Sequence, residues 1–231
     1  MSDGEQVGGQ AATGGRAQAT RTGGVLVDRG ERAALVYSAL GHPRREGRLI
    51  PQPETVPDPP DAASAALAAR LHQLMRGDAR RSLACAESCT GGLIAHRITA
   101  HAGSSDYFQG SAVTYSNAAK RALLGVPQDI LDRVGAVSEE CAAAMAEGAL
   151  RAFDAELAVA TTGIAGPGGG TSRKPVGLVY VAVAGPGGTV VAEHRIPGDR
   201  AAVVEAAAAA ALAMLIDRLD PDRPVASSPT A

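Results

Sequence analysis

Between about residue 61 and residue 220 the chain alternates short apolar runs with longer stretches whose apolar positions recur at helical spacing. Before that region apolar positions are sparse. From Met1 to about Asp58 the chain is rich in Gly, Arg, Glu, Pro and Gln, with only brief clusters such as Val25 to Val27 and Ala33 to Tyr37. Such a segment cannot bury enough surface to offset its ordering entropy. Residues 1–60 therefore read as a disordered or low-complexity tail, and residues 221–231 as a second one. The Pro-rich stretch Pro51 to Pro60 marks the border, and Asp61 opens a helix with Leu67, Leu71 and Leu74 on one face.

Ser82 to Ala86 is a short apolar run that ends in Glu87-Ser-Cys-Thr-Gly-Gly92, after which Leu93 to Thr99 resumes with helical character: strand, tight turn, helix. Phe108 to Tyr115 reads as a strand, while Asn117 to Leu124, Pro127 to Arg133 and Ser138 to Phe153 read as helices. Ser138 is the N-cap of the last of these. Leu157 to Thr161 and Val176 to Ala184 have the Val-rich, Gly- and Pro-bounded look of buried strands. Gly185-Pro-Gly-Gly188 joins the second of them to Thr189 to Ile196 as a hairpin. A final helix starts at Asp199 and fades before Pro221. Alternating strands and helices predict a three-layer α/β/α sandwich, and the hairpin puts one antiparallel member into a mostly parallel, mixed sheet.

Composition narrows the function classes. With 22 Lys+Arg against 24 Asp+Glu, a net charge of −2, four Tyr, two Phe and no Trp, the chain has neither a broad cationic surface nor the rings for base stacking. It is not expected to bind nucleic acid. The core is left to Ala, Val, Leu and Ile. Three cysteines and no recognisable leader fit a reducing, cytoplasmic setting. The Ala-rich run Ala201 to Ile216 contains Glu205 and falls short of a membrane span.

Three places offer chemistry. The first is Ser88, delivered by a strand to a turn whose amides at Thr90, Gly91 and Gly92 point outward together, so that a hydroxyl lies beside an anion site. Equally, Ser88 or Thr90 can simply cap the helix. The second is Val113-Thr-Tyr-Ser-Asn-Ala-Ala-Lys120, where Tyr115 or Lys120 can supply the base that a serine nucleophile needs. For that, Lys120 must be desolvated. Taken alone it reads as a solvated surface lysine. The third is the glycine-dense loop Thr162 to Gly177, able to cradle a phosphate with Arg173 or Lys174, or to be only a flexible connection. It is neither a Walker A loop nor G-x-G-x-x-G. Cys85, Cys89, His96 and His101 lie close in sequence, but without a second ligand pair they read as incidental, and no metal is expected.

Taken in order, Ala86-Glu-Ser-Cys-Thr-Gly-Gly92, Gly103-Ser-Ser105, Val113 to Asn117 with Lys120, Gly135-Ala-Val-Ser138, Thr162-Gly-Ile-Ala-Gly-Pro167 and Lys174-Pro-Val-Gly177 resemble the CinA carboxy-terminal domain family over about Asp61 to Leu219. That resemblance implies an amidohydrolase that converts nicotinamide mononucleotide to nicotinate mononucleotide and ammonia in pyridine-nucleotide salvage. It implies Ser88 as nucleophile, Lys120 and Tyr115 as the proton-transfer pair, no metal or redox cofactor, and a homodimer. Glu87, Thr90, Gly91, Gly92, Asn117, Thr162, Gly163, Ala165, Gly166 and Lys174 are the substrate-binding positions expected on the same ground. Many relatives carry a large amino-terminal molybdopterin-binding-like domain, and the short amino-terminal segment here implies a stand-alone form. The resemblance also admits a non-catalytic nucleotide-binding protein linked to competence or DNA damage, and hydrolysis of a different amide. Two positions depart from the family pattern, the segment from Gly198-Asp-Arg200 to Val204 and Arg173 where Glu is frequent.

Overall fold

The computed structural model describes residues 63–77 and 81–219, so the tails expected over 1–60 and 221–231 lie outside the described residues. Along the chain run α1 (Ala63–Arg76), β1 (Leu83–Glu87), α2 (Leu93–Thr99), a 3-10 turn (Ser104–Asp106), β2 (Phe108–Val113), α3 (Asn117–Leu124), α4 (Gln128–Arg133), α5 (Glu139–Phe153), β3 (Leu157–Gly163), β4 (Leu178–Gly185), β5 (Gly188–Arg195) and α6 (Arg200–Leu219). The strands form one sheet in the order β2-β1-β3-β4-β5. β1 is parallel to β2 and β3, whereas β4 is antiparallel to both its neighbours and is the single reversed strand. The three-layer sandwich with a mixed sheet is therefore as expected.

Period-2 alternation sorts the strand side chains onto two unlike faces. Leu83 and Cys85, Leu157 and Val159, and Val179, Val181 and Val183 pack against α1, α2 and α6. The opposite face is almost all methyl groups: Ala84 and Ala86, Ala158 and Ala160, Ala182 and Ala184 lie under α5, with Leu124 and Leu131 from α3 and α4. Side chains this small let α5 sit close to the sheet. Gly148 extends the same economy of volume, because a Cβ there would collide with the Leu124 carbonyl at the end of α3. On the larger-residue face, Arg97 of α2 ties α1 to α6 through Ser64 Oγ (2.7 Å) and Glu205 (3.4 Å). α6 buries Val203, Ala207, Ala211, Leu215 and their neighbours, and no helix among the described residues is long and apolar enough to cross a membrane.

Strand limits differ from expectation by two residues at three places, each with a local cause. β2 ends at Val113 rather than Tyr115, because Ser116 caps α3 by accepting from the Ala119 amide (3.1 Å). β3 continues two residues further, to Gly163, where antiparallel pairing with Val179 of β4 holds it. β4 starts at Leu178 rather than Val176, because Gly177 turns with φ +89° hard against the Ile196 backbone. Ser138 caps α5 as read, accepting from the Cys141 amide (3.2 Å).

Candidate active site

Ser88 prolongs β1 by one residue and keeps its register, with its amide donating to the Thr161 carbonyl of β3 (3.0 Å). It continues the row Ala84-Ala86 on the alanine face, the side on which α3 packs against α5. Lys120, in the first turns of α3, reaches down and places Nζ 2.9 Å from Ser88 Oγ and 2.7 Å from the Thr114 carbonyl. Only 1% of Lys120 is exposed, and 8% of Ser88. Burial pushes the Lys120 ammonium below the usual lysine range, against an opposing pull from the Cys141 and Cys89 thiols. The surface lysine that the isolated sequence suggests is therefore corrected: α3 packs against α5, and its inward positions Lys120 and Leu124 are buried. A desolvated amine against a serine hydroxyl is the arrangement of a base and a nucleophile.

The turn after Ser88 is glycine-built as expected, Gly91 and Gly92 having φ +62° and +104°. Its anion is already present. The carboxylate of Glu87, fully buried, accepts from Thr90 Oγ1 (2.8 Å) and from the amides of Gly92 (2.9 Å), Ile94 (3.2 Å) and Ala95 (3.0 Å), with Ser111 Oγ at 3.3 Å. Thr90 Oγ1 also meets Thr161 Oγ1 at 2.8 Å. Glu87, Thr90 and the Gly92 amide, expected to meet substrate, are here bonded to one another: the orphan donors at the start of α2 are capped from within. The Gly91 amide is likewise held by the Ser88 carbonyl (3.2 Å). What remains are the amide of Thr90, with no acceptor on another described residue, and that of Cys89, which meets its own thiol.

The glycine loop divides into a structural half and a rim. Thr162 is buried beside Ser88 in the next strand, its Oγ1 donating to the Ala136 carbonyl (2.7 Å). Lys174 Nζ donates to the carbonyls of Val134 (2.6 Å) and Val137 (2.7 Å). Lys174 thus clamps the turn before α5. Gly163 lies too close to Leu178 and Val179 for any side chain, and Ala165 belongs to the core. Gly166 is at the rim, where its carbonyl accepts from Arg200 (2.9 Å). The same guanidinium donates to Tyr115 Oη (2.8 Å). Tyr115 is 60% exposed and bonded to Arg200, not to Ser88 or Lys120, so the expected Lys/Tyr proton-transfer pair is not assembled. Asn117 is exposed at the start of α3, and Arg173 is exposed on the loop. Arg200 is the site residue that sequence reasoning passed over. Its signal was Gly198-Asp199-Arg200: a left-handed glycine (φ +117°), then an aspartate that caps α6 through the Ala202 amide (2.9 Å), then the arginine at its first position.

Residues 64–219 match the model of the CinA C-terminal domain. The chain belongs to that family. CinA-like proteins of Mycobacterium sp. and Geobacter sulfurreducens are each 54% identical over 138 residues, covering 59% and 60% of this chain. The chain matches only 33% of the length of each. Among solved structures it is similar to a competence/damage inducible protein of Agrobacterium tumefaciens (43% identity, TM-score 0.64, covering 68% of this chain and 96% of that one). A CinA superfamily protein of Klebsiella pneumoniae aligns at 35% identity and TM-score 0.65, covering 68% and 98%.

In this CinA domain the thiol next to the serine is a poor nucleophile. Burial pushes Cys89 up to about 11, so it stays protonated at neutral pH. Burial likewise raises the Cys85 and Cys141 thiols. Among the described residues no group of three or more His, Cys, Asp or Glu is arranged to hold a metal ion.

Proposed function

We propose that this CinA domain hydrolyses the carboxamide of nicotinamide mononucleotide to nicotinate mononucleotide and ammonia, with Ser88 as nucleophile. The observation that carries the reading is the buried contact of Lys120 Nζ with Ser88 Oγ at 2.9 Å. A neutral Lys120 takes the Ser88 proton as Oγ bonds to the carboxamide carbon. The carbonyl oxygen, now carrying the electron pair, faces the amides of Cys89 and Thr90. Collapse of the tetrahedral species breaks the C–N bond, and the proton held on Lys120 goes to the departing nitrogen, which leaves as ammonia. Water, giving a proton to the same lysine, then cleaves the ester and restores Ser88.

Arg200 is the cation for the nucleotide's 5′-phosphate, since Lys174 is already committed and Arg200 stands between Tyr115 and the Gly166 carbonyl at the rim. Tyr115 then belongs to substrate positioning at the mouth rather than to proton transfer. A homodimer in the cytoplasm is part of the same reading.

The test is ammonia release by the purified protein from nicotinamide mononucleotide, beside Ser88→Ala. Release that vanishes in the variant supports both substrate and nucleophile. Folded wild-type protein that releases nothing returns the weight to another amide or to a binding role.

A further inference from the structure

One buried hydroxyl in the site has no partner. Thr114 follows the last residue of β2, and its amide donates to the Glu87 carbonyl (2.8 Å), continuing the parallel register in which Glu87 faces Val113. The next pair in that register is Ser88 with Thr114, on strands about 4.8 Å apart. Alternation puts both on the alanine face, since Val113 is 46% exposed and Thr114 fully buried. The Thr114 carbonyl already accepts from Lys120 Nζ (2.7 Å). Its Oγ1, shut away from solvent, has no hydrogen-bond partner. A hydroxyl left so costs stability, and valine would fill the same volume without the cost.

The chemistry of Lys120 supplies a reason to keep it. As the neutral amine, Nζ has one N–H on the Thr114 carbonyl and a lone pair towards the Ser88 hydroxyl. Once the serine proton has moved, Nζ is an ammonium with three N–H groups. At that moment Ser88 Oγ has become bonded to carbon and is a weaker acceptor. The Cys89 and Cys141 thiols, the other titratable groups facing Lys120, are protonated and accept poorly. We propose that Thr114 is a positioning residue of the acyl-transfer step, its hydroxyl taking the Lys120 hydrogen bond that Ser88 gives up on acylation. The electron flow is the one already given; Thr114 gains and loses no proton. The inference rests on the reading of Ser88 as nucleophile.

Thr114→Val and Thr114→Ser test it with nicotinamide mononucleotide as substrate. Thr114→Val is expected to lower kcat about 10- to 100-fold, the weight of one hydrogen bond to a charged group. KM stays within about twofold and the acid limb of kcat/KM keeps its pH, because the free enzyme does not use the contact. Its melting temperature does not fall, and Thr114→Ser recovers kcat to within a few-fold. Unchanged kcat in Thr114→Val, a loss of kcat matched by a fall in melting temperature, or failure of Thr114→Ser to recover it overturns the proposal. If Ser88→Ala is inactive while Thr114→Val is fully active, this inference alone fails. Activity retained in Ser88→Ala removes the nucleophile reading and this inference with it.

Discussion

Lys120 carries two pH dependences from one physical cause. On the proposed mechanism its working form is the neutral amine, so turnover is expected to fall as pH drops through its pKa, a limb that burial sets below the usual lysine value of about 10.4. In the folded state it holds its proton less firmly than in the unfolded chain. Stability therefore rises with pH between the depressed folded value and the ordinary one, and is lost as pH falls through the folded value. Lys120→Met has no proton to exchange. It is expected to abolish turnover and to flatten that slope in urea denaturation run across the same pH range; a slope as steep as wild type would show another group to be responsible. At the neighbouring position, iodoacetamide on the native protein is expected to leave turnover untouched, because Cys89 is protonated and 4% exposed. Rapid inactivation that Cys89→Ala abolishes would contradict this. Ser88 was legible in the sequence because a strand, a glycine turn and a helix are all local patterns. The burial of Lys120 was not, since it depends on how α3 packs against α5 and on strands formed by distant segments. Nor was the occupant of the α2 amides: an unfilled nest and one filled by the preceding glutamate have the same glycines.

Elements were easier to read than their contents. The strands and helices fall where period and punctuation put them, and the reversed β4 follows from one short hairpin. The misses sit at ends, where a cap such as Ser116 or a backbone collision such as that at Gly177 decides the last residue. Two consequences belong to this scale. Gly148→Ala forces α5 away from the Leu124 carbonyl and is expected to cost about 1–3 kcal/mol in chemical denaturation. Glu87→Gln turns one acceptor oxygen into a donor facing N–H groups of α2. It is expected to cost about 1–3 kcal/mol and to lower kcat by displacing the Ser88 turn. A variant as stable as wild type would mean that the carboxylate is dispensable as a cap. Arg200 is a third element-end residue, whose place beside Tyr115 and the Gly166 carbonyl emerges only when α6 and the 163–177 loop are seen to converge.

Taken as a whole, the molecule places its chemistry at the carboxyl ends of three parallel strands, where Thr114, Ser88 and Thr162 form one row. Removing residues 1–57, a segment with only brief apolar clusters, is expected to leave ammonia release intact; a collapse of rate or solubility on trimming would show that they contribute. Arg200→Ala is expected to raise KM for the nucleotide more than it lowers kcat, read from steady-state kinetics with and without the 5′-phosphate. Equal loss on the dephosphorylated nucleoside would place Arg200 elsewhere in the mechanism. The alanine rows beneath Ser88 have a further meaning. Alanine has no side-chain rotamers to relax, so the floor of the site does not reorganise around Ser88. Enlarging Ala86 or Ala160 by one or two carbons transmits the displacement directly to Ser88 and Lys120. Trimming a valine on the far face only loosens the fold, and each molecule that stays folded works at full speed.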